Sequence, residues 1–148
     1  MNIIPASIEH LPVLVPLFDA YRTFYRRPSD PEAARVFLEE RITRQESVIF
    51  LAQADQTGAG FVQLYPLFSS LGMKRRWLLN DLYVAPEFRN MGVATLLIER
   101  AREWGISTGA SALMLETEVT NVGAQRLYDK TGWKRDTSNF WYYLELLT

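Results

Sequence analysis

Residues 79–94, Leu-Asn-Asp-Leu-Tyr-Val-Ala-Pro-Glu-Phe-Arg-Asn-Met-Gly-Val-Ala, restrict the folds open to this chain more than any other stretch. They read as the end of a strand, a turn opened by Ala85-Pro86, and the start of a helix. The helix is predicted from Asn90 to Thr108. Val93, Leu97, Ala101 and Trp104 recur about a turn apart, Ala94 and Ile98 widen the stripe, and Glu99, Arg100, Arg102 and Glu103 face away. Gly105 and Gly109 weaken and stop it. A strand follows from Ser111 to Val119. A connection of this length is sufficient for a parallel crossover, so the two strands are expected side by side and parallel.

The remaining elements surround this unit. Asn2 to Ala6 reads as a short strand. Ser7 caps a helix running to about Tyr25, with Pro12 in its first turns and Pro16 expected to kink it. A second helix is predicted from Asp30 to Arg44, with Pro31 at its first position. Ser47–Ala54 and Gly60–Tyr65 are strands joined at Asp55-Gln56-Thr57-Gly58, a hairpin by spacing and turn chemistry. Pro66 to Met73 reads as loop and Arg76 to Val84 as strand. Asn121 caps a short helix to about Thr131. The aromatic run from Phe140 to Leu146 reads as a final strand, in the core or at a dimer contact. The mixture of patterns indicates α/β or α+β layers.

Composition removes several classes of function. The 148 residues, 48% of them apolar, suit a single domain over residues 1–148. No cysteine is present, which excludes disulfide scaffolds, thiolate metal sites and cysteine nucleophiles. His10 is the single histidine, so multi-histidine metal sites are excluded and no metal is expected. Lys and Arg number 16 against 17 Asp and Glu, a balance that argues against a nucleic-acid partner. No apolar run reaches the roughly 18–20 residues of a membrane span. Met1 to Pro5 lacks the basic start of a signal peptide, so a cytoplasmic location is expected.

Chemistry concentrates where the predicted strand 76–84 meets its helix. Arg89-x-x-Gly92-x-Ala94 places small residues at a helix start, where unpaired N–H donors and the positive dipole end favour an anion such as pyrophosphate. The Walker ending is missing, and so is the third small residue of the dinucleotide fingerprint. A βα turn that uses glycine only for packing is the plainer alternative.

Val84-x-Pro86-x-x-Arg89-x-x-Gly92-x-Ala94 resembles the Arg/Gln-x-x-Gly-x-Gly/Ala motif of the GNAT family of N-acetyltransferases. A second segment resembles that family's later strand-to-helix region. It runs Leu115-Glu116-Thr117-Glu118-Val119-Thr120-Asn121-x-x-Ala124-x-x-Leu127-Tyr128-x-x-x-Gly132-Trp133, with tryptophan where the family usually has phenylalanine. The resemblance covers about Trp77 to Trp133, and the first half matches in outline only. It implies an α+β fold: a mixed, mostly antiparallel sheet of about six to seven strands, flanked by about four helices. In that fold a splayed parallel strand pair forms the slot for CoA.

The resemblance also implies roles. Acetyl-CoA is the co-substrate, and an amine of a small molecule or peptide is the acceptor. The backbone of Leu82, Tyr83 and Val84 would pair with the pantetheine arm. The amides of Arg89, Asn90, Met91, Gly92, Val93, Ala94 and Thr95 would cradle the pyrophosphate, and Asn121 would contact the cofactor arm. Tyr128 matches the general acid toward the CoA sulfur, a phenol of about the right basicity for a thiolate. Glu116 is the first candidate base, with Asp81 and Glu118 competing and a water chain a further option. Tyr21, Phe24, Tyr25 and Tyr65, with Asp81, are candidates for the acceptor side. Arg22, Arg26 and Arg27 are either acceptor contacts or a solvated helix end, and His10 reads as a helix-start residue. A homodimer is open. A non-catalytic acyl-CoA sensor and an enzyme using another acyl-CoA are the competing functions.

Overall fold

A computed structural model describes residues 1–147 of the chain. Two compact units divide it, Met1–Glu116 and the segment from Thr117 onward.

The first unit holds β1 (Asn2–Pro5), α1 (Leu11–Phe24), α2 (Pro31–Thr43), β2 (Val48–Ala54), β3 (Thr57–Ser69), β4 (Lys74–Val84), α3 (Val93–Ser107) and β5 (Ala112–Met114). The strands form one sheet in the order β1-β2-β3-β4-β5. The first four are mutually antiparallel, and β5 runs parallel to β4 through the α3 crossover. The expected hairpin is present but closes more tightly, with β3 starting at Thr57 rather than Gly60 and Asp55 taking a positive φ of 55° in its turn. Asp30 caps α2 by accepting from the Ala33 N–H. His10 ends a single 3-10 turn before α1, and its Nδ1 accepts from the Ser7 N–H at 2.9 Å. Pro16 lies inside α1 and does not divide it.

Two apolar layers hold the sheet. On one face, Leu14, Leu17 and Phe18 of α1 and Leu38 of α2 pack with Ile49, Leu51, Phe61 and Tyr83. On the other, Leu97, Ile98 and Ala101 of α3 are buried, and Trp104 meets Phe50 and Trp77. Each large side chain so buried contributes about 1.5–3 kcal/mol. Gly60 permits β3 to lie close against β4, because a Cβ there would come within 2.4 Å of the Tyr83 carbonyl oxygen.

Among its described residues the second unit contains one helix, α4 (Val122–Lys130), capped by Asn121, whose Oδ1 accepts from the Ala124 N–H.

The structure corrects the expected strand count. Five strands and four α-helices are present among the described residues, not six to seven strands. Phe140 to Leu146 is not a strand, and Ser111 to Val119 shortens to Ala112–Met114. Residue preference alone does not make a strand, because a strand exists only against a partner edge. The expected loop 66–73 shrinks to residues 70–73. Pro66 joins β3 opposite Trp77, a position proline tolerates only where its missing N–H is not needed by the ladder.

Candidate active site

A single extra residue in β4 organises the first unit's site. Gln63 pairs with Asp81 and Leu64 with Leu79, so Asn80 is a β-bulge. The extra residue reverses the alternation of side chains along β4. Trp77, before it, faces α3 and meets Trp104, whereas Tyr83, after it, faces α1 and meets Tyr21. Asp81 shares the α1 face with Tyr83, two residues on.

The same region opens the sheet. β5 pairs with β4 only at Arg76, Trp77 and Leu78. Beyond Leu78 the outer edge of β4 has no strand partner among the described residues. The Ala85 N–H donates to the Ala59 carbonyl, so by antiparallel alternation Tyr83 also exchanges its bonds with β3. The N–H and C=O groups of Leu82 and Val84 therefore point to the open edge. Of the three residues expected there, Tyr83 contributes its ring on the α1 side instead.

This edge leads to the start of α3. Asn90 has φ 61° and Gly92 φ 80°, both left-handed. Gly92 is the N-cap of α3, and no side chain caps that helix. The amides of Val93, Ala94 and Thr95 have no acceptor a turn back within the helix. A Cβ at Gly92 would meet nothing within 4 Å, so the cradle is open. Backbone donors, a positive helix end and open space fit a pyrophosphate. Arg89 flanks the cradle. Its Nε donates to the Val84 carbonyl at 3.1 Å, and its guanidinium lies over the rings of Phe24 and Tyr83.

On the α1 side, the structure brings Tyr21, Tyr25, Tyr65 and Asp81 together, four residues from three separate places in the sequence. Asp81 is only 5% exposed. Its carboxylate accepts from Gln63 Nε2 at 2.7 Å, from Asn80 Nδ2 at 3.0 Å and from the Tyr21 hydroxyl. Burial raises its pKa, and these three bonds oppose the rise without cancelling it. Burial and the Asp81 charge raise Tyr21 as well, and the same two causes push Tyr65 up to about 12. The Tyr21 ring meets Tyr25 at 5.2 Å between centroids. Gln63 is fully buried, and its Oε1 has no protein partner.

Sequence reasoning missed Gln63 and Asn80. The signal for Gln63 was its polarity inside the apolar run Phe61-Val62-Gln63-Leu64. Nothing local announced that Asn80 would bulge. Arg22 ties the α1–α2 connection by donating to the Pro28 carbonyl, and Arg26 takes a positive φ in the same connection. Glu116 is exposed beyond β5.

In the second unit, Tyr128 lies on α4, half-buried, with its ring against Trp133 at 5.9 Å. Glu118 is exposed before the Asn121 cap.

A mixed sheet whose parallel pair parts beside a helix start with no side-chain cap defines a class, enzymes that hold an extended, phosphate-bearing cofactor along a strand edge. Comparison with known proteins gives the family. The profile of the acetyltransferase (GNAT) family matches residues 14–133. The uncharacterized N-acetyltransferase YhfO of Bacillus subtilis is 41% identical, over 99% of this chain and 98% of its own length. A crystal structure of a probable acetyltransferase is 45% identical with TM-score 0.96, covering 100% of this chain and 99% of that one. The aminoglycoside N-acetyltransferase AAC(6')-Iy in complex with CoA shares the fold at TM-score 0.82 and 22% identity, over 99% of this chain and 95% of that one. The chain belongs to the GNAT family and is an acetyl-CoA-dependent acyltransferase.

Proposed function

We propose that the enzyme transfers the acetyl group of acetyl-CoA directly to a primary amine of a small molecule or peptide. The observation that carries this reading is the open β4 edge at Leu82 and Val84, running into the uncapped start of α3 at Gly92. The edge supplies strand-like donors and acceptors for a pantetheine arm, and residues 89–95 supply amides for the pyrophosphate. The family's motif gives Asn121, the cap of α4, a contact with the cofactor arm. Acetyl-CoA supplies the activated acyl group. The chain's own residues position it, take a proton from the amine and return one to the leaving sulfur.

Tyr128 is the general acid. As the amine nitrogen bonds to the acetyl carbon and the carbon–sulfur bond breaks, its hydroxyl protonates the thiolate. Asp81 is the base that accepts the amine proton, directly or through a water. Burial beside Tyr21 and Tyr65 raises its basicity toward the working pH, which favours a carboxylate in that role. Tyr21, Tyr25 and Tyr65 line the acceptor side. Glu116, exposed in this structure, is the competing base.

Release of free CoA thiol, measured across a panel of aminoglycosides, polyamines and peptide N-termini, tests the reading. Turnover with one class names the acceptor. Cofactor binding by calorimetry without turnover on any amine would instead support an acyl-CoA sensor. A comparison of acetyl-, propionyl- and succinyl-CoA gives the acyl preference. Tyr128→Phe is expected to lower kcat by about 10²–10⁴-fold and to remove the alkaline limb of the pH profile. Unchanged turnover in that variant would remove the general-acid role.

A further inference from the structure

Gln63 and Asp81 are the two buried polar side chains among the described residues, and they bond to each other. Gln63 alternates with Phe61 and Tyr65 along the α1 face of β3 and stands opposite Ile49 of β2. Its Nε2 donates to Asp81 Oδ2 at 2.7 Å, and its Oε1 has no protein partner. A side-chain amide this deep normally has both ends bonded, because a buried carbonyl without a donor forfeits the bond it had in water. Leucine or methionine would fill the same space without that cost. The half-bonded amide is explained by what lies beside it. An amide is nearly symmetric in shape, so a half-turn about its last bond exchanges Oε1 for Nε2 in place. One orientation suits a carboxylate, which only accepts. The other suits a carboxylic acid, which has a proton to donate.

We propose that Gln63 is a positioning residue that serves Asp81 in both of its charge states, donating from Nε2 to the carboxylate and turning to accept at Oε1 once Asp81 carries a proton. This rests on Asp81 being the base of the proposed transfer. In that step an N–H bond of the acceptor's ammonium breaks with its electron pair left on nitrogen. An O–H bond forms on Asp81, the carboxylate charge is cancelled, and the proton passes to water before the next turnover. Each state leaves one end of the amide unpaired, but in neither does the carboxyl lose its bond to Gln63. The other groups around Asp81 keep their charge. Tyr21 of α1 donates to it, and Tyr65 of β3 faces it. Burial and the Asp81 charge raise both phenols far above neutrality, Tyr65 to about 12. Tyr25 lies against Tyr21, and Asn80 donates without titrating. Arg41 of α2, the cation that acts on Tyr65, is paired with Glu40 and Glu46.

Carbon and nitrogen NMR on the full chain without substrate, between roughly pH 4 and 9, tests this. The Asp81 Cγ resonance marks the titration. On acidification through it, the Gln63 Hε proton bonded to the carboxylate is expected to move upfield and Gln63 Cδ to move downfield, as the bond passes from one end of the amide to the other. In Asp81→Asn neither resonance should respond to pH. Gln63 resonances that stay fixed while Asp81 titrates would overturn the proposal, as would an Nε2 signal that changes with Cδ unmoved. Gln63→Met carries the test to turnover. With one charge-assisted hydrogen bond lost, kcat is expected to fall about 10-fold or more. The acid limb of the pH profile should move upward, because the bond that favoured the carboxylate is gone. A merely structural role would lower Tm and leave that limb in place, which would also overturn the proposal. The NMR titration needs no acetyl transfer, so its failure and the failure of the proposed activity are distinguishable.

Discussion

Asp81 is where the proposed chemistry and the stability of the fold meet, and two substitutions separate them. Asp81→Ala removes the acceptor of Gln63 Nε2, Tyr21 and Asn80 Nδ2. Asn80 is exposed and can turn to water, but the Gln63 amide is fully buried and its other end already lacks a partner. Each buried donor left unpaired costs about 1–3 kcal/mol. Two such donors, less the desolvation cost of the lost carboxylate, give a net loss of about 2–4 kcal/mol. For a chain of this length that lowers Tm by roughly 4–15 °C. Asp81→Asn keeps the volume and one acceptor oxygen, so its cost stays within about 1 kcal/mol at pH 7.

Wild type and Asp81→Asn also differ in how stability depends on pH. The folded-state pKa of Asp81 lies above its unfolded value, so its protonated form favours folding. That contribution is complete below the unfolded pKa and disappears as pH rises through the folded one. An asparagine side chain does not titrate and has no such dependence, so the stability of Asp81→Asn relative to wild type should improve as pH rises through the raised value. Urea unfolding at several pH values between 4 and 8 measures it. Turnover should respond oppositely. Both variants lose about 10²–10⁴-fold in kcat/KM for the amine, with the acetyl-CoA KM little changed. Wild-type turnover with an unchanged pH profile in Asp81→Asn would refute the base assignment. A pH-independent stability difference would refute the burial argument. If Asp81→Asn stays active while Glu116→Gln does not, Glu116 is the base.

Three further outcomes are expected. Gly92→Ala meets no steric obstacle but holds alanine at φ 80°, which costs about 1–2 kcal/mol of stability and weakens CoA affinity measured by calorimetry; undiminished affinity would show that the cradle is not used. Gly60→Ala drives a methyl to 2.4 Å from the Tyr83 carbonyl and should cost about 1–3 kcal/mol or more in chemical unfolding, by forcing β3 from β4. Asn121→Ala deletes the cap of α4, for about 1 kcal/mol of stability together with a raised acetyl-CoA KM; loss of stability alone would leave Asn121 with the capping role only.

Much of the site is visible in the linear chain because its signals are local. Arg89-x-x-Gly92-x-Ala94, following a β-rich run and preceding an apolar stripe of helical period, reads as a strand-to-helix turn, and the left-handed φ at Gly92 belongs to that turn. Asn121 is read as a cap and accepts from its own helix three residues on, and of the two cap candidates that α2 offers, Ser29 and Asp30, the structure selects Asp30. The α3 stripe is a period that neighbours do not alter. Tyr21, Tyr25 and Tyr65 are visible as aromatic candidates for the acceptor side, but their meeting around Asp81 is not.

That meeting belongs to tertiary structure. One inserted residue, Asn80, reverses the faces of β4, so Asp81 lies beside Tyr21 and Gln63 instead of under α3. A bulge of this kind is decided by register against the neighbouring strand, information that no single strand carries. The same holds for the edges. No strand pairs with the outer edge at Leu82 and Val84, Tyr83 is paired, and residues 140–146 form no strand, because ladder partners lie far away in the chain. Helices, caps and the anion-seeking turn follow from bonds within a few residues, so the sequence by itself determines them. Pairing, side-chain parity and the burial that raises Asp81 arise from contacts across the sheet, and only the folded molecule decides them.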